Sequence, residues 1–293
     1  MAGSPIVHRL LRFAIPLAAG LTLVCAVGVA EQSGGADQTL DRMSDYVEQY
    51  YSRAQSIVSE ETVTVQRLQR DLTSDGFARR LVYELRVEWN PSAAGDDSPA
   101  TVSRQLLTIN GKAPRPKDKP ECLDPRSVSP EPLAFLLPDR RHKYSFKSAG
   151  VGHVDGRAVV MVDYRSLRAE EPKTEWRDEC VSIDLPGRAR GRVWADPESA
   201  AIVRLDEQLT GMVDIPVPRK KQHPGTPAYM TIERADMSIM YRPVTFRDPD
   251  ETLLLPATIS SLAIVRNSGS PRVRITQSFS NYRRFVTATR IVR

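Results

Sequence analysis

Few side chains in this chain are of the types that do chemistry, and their spacing decides what they can be used for. Of four histidines, His142, His153 and His223 stand far apart, in no HExxH and no short metal-ligand spacing. No GxSxG elbow, phosphate loop or GxGxxG run occurs. Asp248, Asp250 and Glu251 form a DPDE cluster of calcium-type oxygens, but its spacing is not that of an EF-hand, and a proline-bearing turn between strands accounts for it. His153, two residues from Asp155, reads as part of a Val-Asp-Gly turn. The pattern predicts no catalytic residue, no metal and no cofactor. It favours a binding protein over an enzyme. Carboxylates that converge only on folding leave no trace in spacing, so a hydrolase stays as the less favoured reading.

Three cysteines remain to be placed. Cys25 lies in MAGSPIVHRLLRFAIPLAAGLTLVCAVGVA, residues 1–30. Here a short basic start is followed by an apolar run from Phe13 to Ala30 that ends in small residues. This is the layout of a secretory signal peptide, with Gly28 and Ala30 suited to cleavage before Glu31. The rival reading keeps residues 13–30 as an inner-membrane anchor, at the short limit for a bilayer span. Either way the rest of the chain is outside the cytoplasm, periplasmic or secreted, since the basic end stays inside. The residue before Cys25 is Val24, which does not suit a lipid-anchor signal. Removal of the leader leaves Cys122 and Cys180, and an even pair in an exported chain reads as a disulfide. Closing the loop between them is worth about 4 kcal/mol by chain entropy.

Charge excludes a nucleic-acid partner. The chain carries 41 Lys and Arg against 36 Asp and Glu, but Arg9 and Arg12 belong to the leader. Seven arginines and no acid or lysine fall between Thr252 and the C-terminus. These read as solvent-face arginines on strands, with attraction to an anionic surface as the second reading. Arg219, Lys220 and Lys221, in a proline-rich loop over 214–227, are the candidate for peripheral contact with anionic headgroups.

The elements that must position these groups follow from hydrophobic period. After a small polar linker, residues 31–36, Leu40, Met43, Val47, Tyr50, Tyr51, Ala54, Ile57 and Val58 recur at helical spacing and predict one amphipathic helix over 37–58. The period then becomes two. In FARRLVYELRVEW, Leu81, Tyr83, Leu85, Val87 and Trp89 share a face opposite a largely charged one, which predicts a long antiparallel strand with one face covered. Comparable runs predict strands at 60–70, 77–89, 102–109, 142–149, 157–166, 174–184, 190–195, 201–210, 228–242, 252–265 and 272–286, several separated by turn pairs such as Asn110-Gly111 and Asp155-Gly156. The reading is an α+β fold: an N-terminal helix on a large curved antiparallel sheet of about 10–11 strands. It forms one domain over 37–293, with a proline-rich insertion at 112–132.

One hairpin carries a resemblance. GRVWADPESAAIVRLDEQL, residues 191–209, has a strand ending in an aromatic residue, then Asp-Pro, a small polar turn and a second strand with an early arginine. It resembles the central hairpin of the outer-membrane lipoprotein carrier superfamily, the LolA/LolB-like and RseB-like proteins. The layout of an exported chain, a helix and a curved sheet is similar too. The resemblance implies a half-barrel whose concave apolar face takes an acyl chain, and hence a lipid, a lipidated protein or an envelope protein as partner. Leu81, Tyr83, Leu85, Val87, Trp89 and, on the hairpin, Trp194 are the candidate lining. The alternative is a periplasmic scaffold in which the same residues form a closed core under the helix. The proline-rich insertion has no expected counterpart among the carriers, and the carriers' lid helices are not found in this sequence.

Overall fold

The computed structural model describes residues 30–54, 56–89, 100–125, 132–222, 225, 227–247 and 250–284. Helix α1 runs Ala30–Arg53. It reaches back through the residues read as a linker and ends before Ile57 and Val58, which belong to the first strand. Ile57 sits at a helical spacing but equally starts an alternation with Ser59, Glu61, Val63 and Val65, and pairing with two neighbouring strands wins it for the sheet.

The strands are β1 (Ser56–Arg67), β2 (Arg79–Trp89), β3 (Ala100–Ile109), β4 (Tyr144–Val154), β5 (Arg157–Ser166), β6 (Lys173–Arg177), β7 (Cys180–Asp184), β8 (Ala189–Ala195), β9 (Ile202–Leu209), β10 (Val213–Pro216), β11 (Tyr229–Arg247), β12 (Asp250–Arg266) and β13 (Arg272–Arg284). A 3-10 turn, Leu133–Leu136, and a single helical turn, α2 (Pro138–Arg141), precede β4. One antiparallel sheet has the order β3-β2-β1-β13-β12-β11-β9-β8-β5-β4, and β10 continues the edge of β11 beyond β9.

Two details depart from the sequence reading. The segment read as one strand over 174–184 is a separate two-stranded hairpin, β6–β7, turned at Asp178, which takes the left-handed conformation with φ 48°. The loop read over 214–227 contributes strand β10, where Pro216 is tolerated because β10 pairs only with β11. Pro243 and Pro256 likewise sit where β11 and β12 extend past the strands on their outer sides.

Alternation gives the sheet one inward and one outward face. A continuous apolar cluster joins Leu85, Val87 and Trp89 of β2 to Val162 and Tyr164 of β5 through Phe279, Ile259, Ile239, Leu205 and Val193. Met43, Val47, Tyr50, Tyr51 and Ala54 of α1, with Leu133, Phe135 and Leu136, cover it. β2 and β5 lie seven strand spacings apart, roughly 34 Å if the sheet were flat. One helix and one turn cover both because the sheet wraps around them as a half-barrel.

Two smaller clusters lie on the same inward face. Val63, Val65, Leu81, Tyr83 and Val273 are covered by Leu123 of the proline-rich segment. Val213, Ile215, Met230 and Ile232 are covered by Trp176, Val181 and Ile183 of the β6–β7 hairpin. The two covers are joined by the Cys122–Cys180 disulfide, with Cα atoms 5.0 Å apart.

Candidate functional site

Five of the six residues predicted to line a cup are built into the core. Leu85, Val87 and Trp89 lie beneath α1, where Trp89 packs on Tyr51 with ring centroids 4.4 Å apart. Only about 30 Å³ of space remains between them and Tyr50, Leu255 and Phe279. Leu81 and Tyr83 belong to the second cluster. The Tyr83 hydroxyl is pushed up to about 12, by burial first and then by the charges of Asp124 and Glu61. Trp194 corrects the sequence reading. Its neighbours Val193 and Ala195 point inward, so Trp194 faces the convex side, between the guanidiniums of Arg204 and Arg192 at 4.6 and 5.8 Å from its ring.

Among the loop cations, Arg219 and Lys220 are exposed, whereas Lys221 donates to the Asp178 carbonyl and pairs with Glu179 at 3.1 Å. Lys221 therefore holds the turn of the β6–β7 hairpin. His142 and His153 are both exposed, one after α2 and one on β4. His223 and Asp248 lie outside the described residues, as does the leader through residue 29. No helix among the described residues is long and apolar enough to cross a membrane.

Between the covers runs a different part of the inward face. Strand pairing sets Tyr164, Gly191, Glu207, Met237, Ser261, Ile275 and Val65 side by side in one row across seven strands. The neighbouring row towards α1, which includes Val162, Val193, Leu205, Ile239 and Ile259, is buried. In the row itself only the ends, Tyr164 and Val65, are buried, and the five residues between them are half-buried. On the other side Ala189, Leu209, Ala235 and Ala263 are half-buried as well. These two half-buried rows, which touch the three clusters at Ala189, Met237, Ile275, Leu209 and Ala235, form the furrow. Its five half-buried strands span roughly 19 Å, the order of a long acyl chain.

Polar groups stand beyond one end of the row, past buried Val63 on β1, and at the other end. Beyond the first, Arg104 on β3 donates from Nε to Glu61 at 2.6 Å and from Nη2 at 3.2 Å, and the Gln277 amide donates to the same carboxylate at 2.6 Å. The Arg104 and Glu61 side chains are 5% and 0% exposed. Such a pair persists only because each charge satisfies the other.

At the other end, the Tyr164 hydroxyl donates to Glu207 at 2.8 Å. Tyr164 crosses β8 to do so, and Gly191 makes the crossing possible. A Cβ there would sit 2.7 Å from the Tyr164 oxygen and 2.1 Å from the Asp206 carbonyl. Burial pushes the Glu207 carboxyl above the usual carboxylate range, and the Tyr164 hydrogen bond pulls it partly back. Burial and then the Glu207 charge push the Tyr164 hydroxyl well above the ordinary tyrosine range. Phe135 lies 4.3 Å and Tyr144 6.2 Å from the Tyr164 ring, centroid to centroid.

Sequence reasoning passed over Glu61, Arg104 and Glu207, although a signal was present. Each stands in the apolar phase of its strand: Glu61 between Ser59 and Val63, Arg104 between Val102 and Leu106, and Glu207 between Leu205 and Leu209. A charge in the inward phase must find a partner or a ligand. Among the described residues no group of three or more His, Cys, Asp or Glu is arranged to hold a metal.

No protein-family model and no curated protein matches the sequence. Among solved structures, the chain is similar to a domain described as an outer membrane lipoprotein-sorting protein from Vibrio parahaemolyticus, at 11% identity and a TM-score of 0.41. It is also similar to a LolA superfamily protein from Nitrosomonas europaea, at 8% and 0.36, and to a DUF1329 family protein from Desulfovibrio piger, at 10% and 0.38. Each match covers 86% of this chain and 94% of the other. All three likenesses are distant.

Proposed function

We propose that the protein is an exported, non-enzymatic binding protein. It holds an amphiphile, a lipid or the acyl group of a lipidated protein, along the furrow of the concave face. The observation that carries the reading is the half-buried row Gly191–Glu207–Met237–Ser261–Ile275, set between apolar clusters that are closed. An acyl chain laid there would exchange water for apolar contact at about 0.8 kcal/mol per methylene. Export is supported by the leader pattern and by the paired cysteines, which suit an oxidising compartment.

The test is purification from the periplasm without detergent, followed by native mass spectrometry and lipid extraction. A discrete lipid mass near one per chain is expected. The variant Ala263→Trp, which places an indole in the furrow, should lose that mass while keeping its circular dichroism spectrum.

A second reading has its own support. Five of the six residues expected to line the cup, Leu81, Tyr83, Leu85, Val87 and Trp89, are buried, as a closed-core periplasmic scaffold requires. A bare protein mass, with no lipid taken up on incubation with vesicles, would favour that scaffold.

A further inference from the structure

Among the described residues, Glu207 is a carboxylate in the furrow row that forms no ion pair. Its single side-chain partner is the Tyr164 hydroxyl at 2.8 Å. Glu61, also in the inward phase, is by contrast matched by Arg104. A carboxylate has acceptor capacity for several donors, so Glu207 keeps acceptor sites that Tyr164 does not use. Its surroundings are aromatic on one side, where Tyr164, Tyr144 and Phe135 pack together. On the other side is the apolar floor of Met237. The Gly191 backbone lies opposite, and the Tyr164 ring and hydroxyl occupy the space a side chain there would fill. A buried carboxyl beside aromatic rings, reached by solvent along a lipid-sized furrow, is complementary to one chemical class: an organic ammonium attached to an apolar chain.

We propose that Glu207, with Tyr164 and Tyr144, is the headgroup end of the furrow and selects amphiphiles bearing a primary ammonium, such as an ethanolamine headgroup. This inference rests on the furrow reading above. The ammonium supplies the charge that burial denies to Glu207, and the tyrosine rings cover its remaining face. An anionic headgroup at the same place would meet the unpaired Glu207 carboxyl, with Arg140 reaching only the Tyr144 side.

The experiment uses the full chain, incubated with vesicles of equimolar phosphatidylethanolamine and phosphatidylglycerol of identical acyl chains. Protein is separated by size exclusion and bound lipid is identified by mass spectrometry. Retention should favour the ethanolamine lipid by roughly tenfold, the weight of one charge-assisted hydrogen bond. N-acetylation of that lipid should remove the preference, and Glu207→Gln should bring the ratio near one by lowering retention of the ethanolamine lipid. Tyr164→Phe, which keeps the ring, should retain most of the preference and serves if Glu207→Gln does not fold. Equal retention of both lipids would overturn the headgroup assignment and leave the furrow standing. Failure to retain either lipid would overturn both.

Discussion

Replacing Arg104 with methionine isolates the energetics of the buried Arg104–Glu61 pair. The guanidinium is 5% exposed and makes two bonds to a carboxylate that is 0% exposed. Methionine roughly fills the space of the stem but leaves Glu61 with the Gln277 amide as its remaining donor in the trio. Breaking one side of a buried pair costs about 3–5 kcal/mol, because the surviving charge stays desolvated. For a chain of this size that corresponds to a fall in Tm of about 6–20 °C. Thermal or urea unfolding followed by circular dichroism reads it directly. The double variant Glu61→Leu/Arg104→Met should recover most of the loss, since an apolar pair of similar volume carries no desolvation penalty. The half-buried Gln277 amide can then turn to water. Arg283→Ala is the control: its partner Glu84 lies at 2.9 Å, but Arg283 is 57% exposed, so the loss should stay under about 1 kcal/mol. A single Arg104→Met variant costing no more than the Arg283 control would refute the claim that Arg104 and Glu61 form a buried ion pair. Equal losses in the single and double variants would show that packing, not charge, holds this part of the sheet.

Further outcomes are expected. Peptide mapping without reductant should find Cys122 joined to Cys180. Cys122→Ser/Cys180→Ser should lose about 2–4 kcal/mol in urea and loosen the link between the proline-rich segment and the β6–β7 hairpin. Gly191→Ala should cost about 1–3 kcal/mol by overpacking, because its Cβ would lie 2.1 Å from a backbone oxygen; a neutral effect on Tm would mean that β8 and β9 are farther apart. Glu207 binds its proton more tightly when folded, so its contribution is fully present below the unfolded carboxyl value and is lost as pH rises through the folded value. Glu207→Gln should therefore gain Tm relative to the unmodified chain as pH rises above about 4.3. The groups facing the carboxyl are Tyr164 and Tyr144, neither of which titrates in that window. A gap independent of pH would count against the burial of that carboxyl. Leu85→Ala, at a site 2% exposed under α1, should cost about 2–5 kcal/mol, and Leu85→Glu should unfold the protein rather than merely empty a ligand site.

The α+β class, one helix against a large antiparallel sheet, follows from the sequence because it depends on local period. Leu40 to Ala54 repeat near 3.6 and Leu81 to Trp89 repeat at two, and no partner is needed to see either. The cysteine pairing was legible for a different reason: two residues allow only one bond. Trp194 shows where local reading stops. Its side of the sheet depends on the phase of its strand, set by Val193 and Ala195 finding the core, and an aromatic residue gives no sign of that phase. Ile57 and Val58 were lost to the helix because one apolar pair satisfies both periods until neighbouring strands compete for its backbone.

The furrow is wholly a tertiary fact. Gly191, Glu207, Met237, Ser261 and Ile275 come from five strands spread over 84 positions between the first and the last, and only registers fixed by long-range pairing set them in one row. The sequence alone determined that Glu61, Arg104 and Glu207 stand in apolar phase, and hence that each needs a partner. Which ones found it was decided by the fold, because Arg104 is carried to Glu61 by the order β3-β2-β1, whereas among the described residues Glu207 is met by Tyr164 and forms no ion pair.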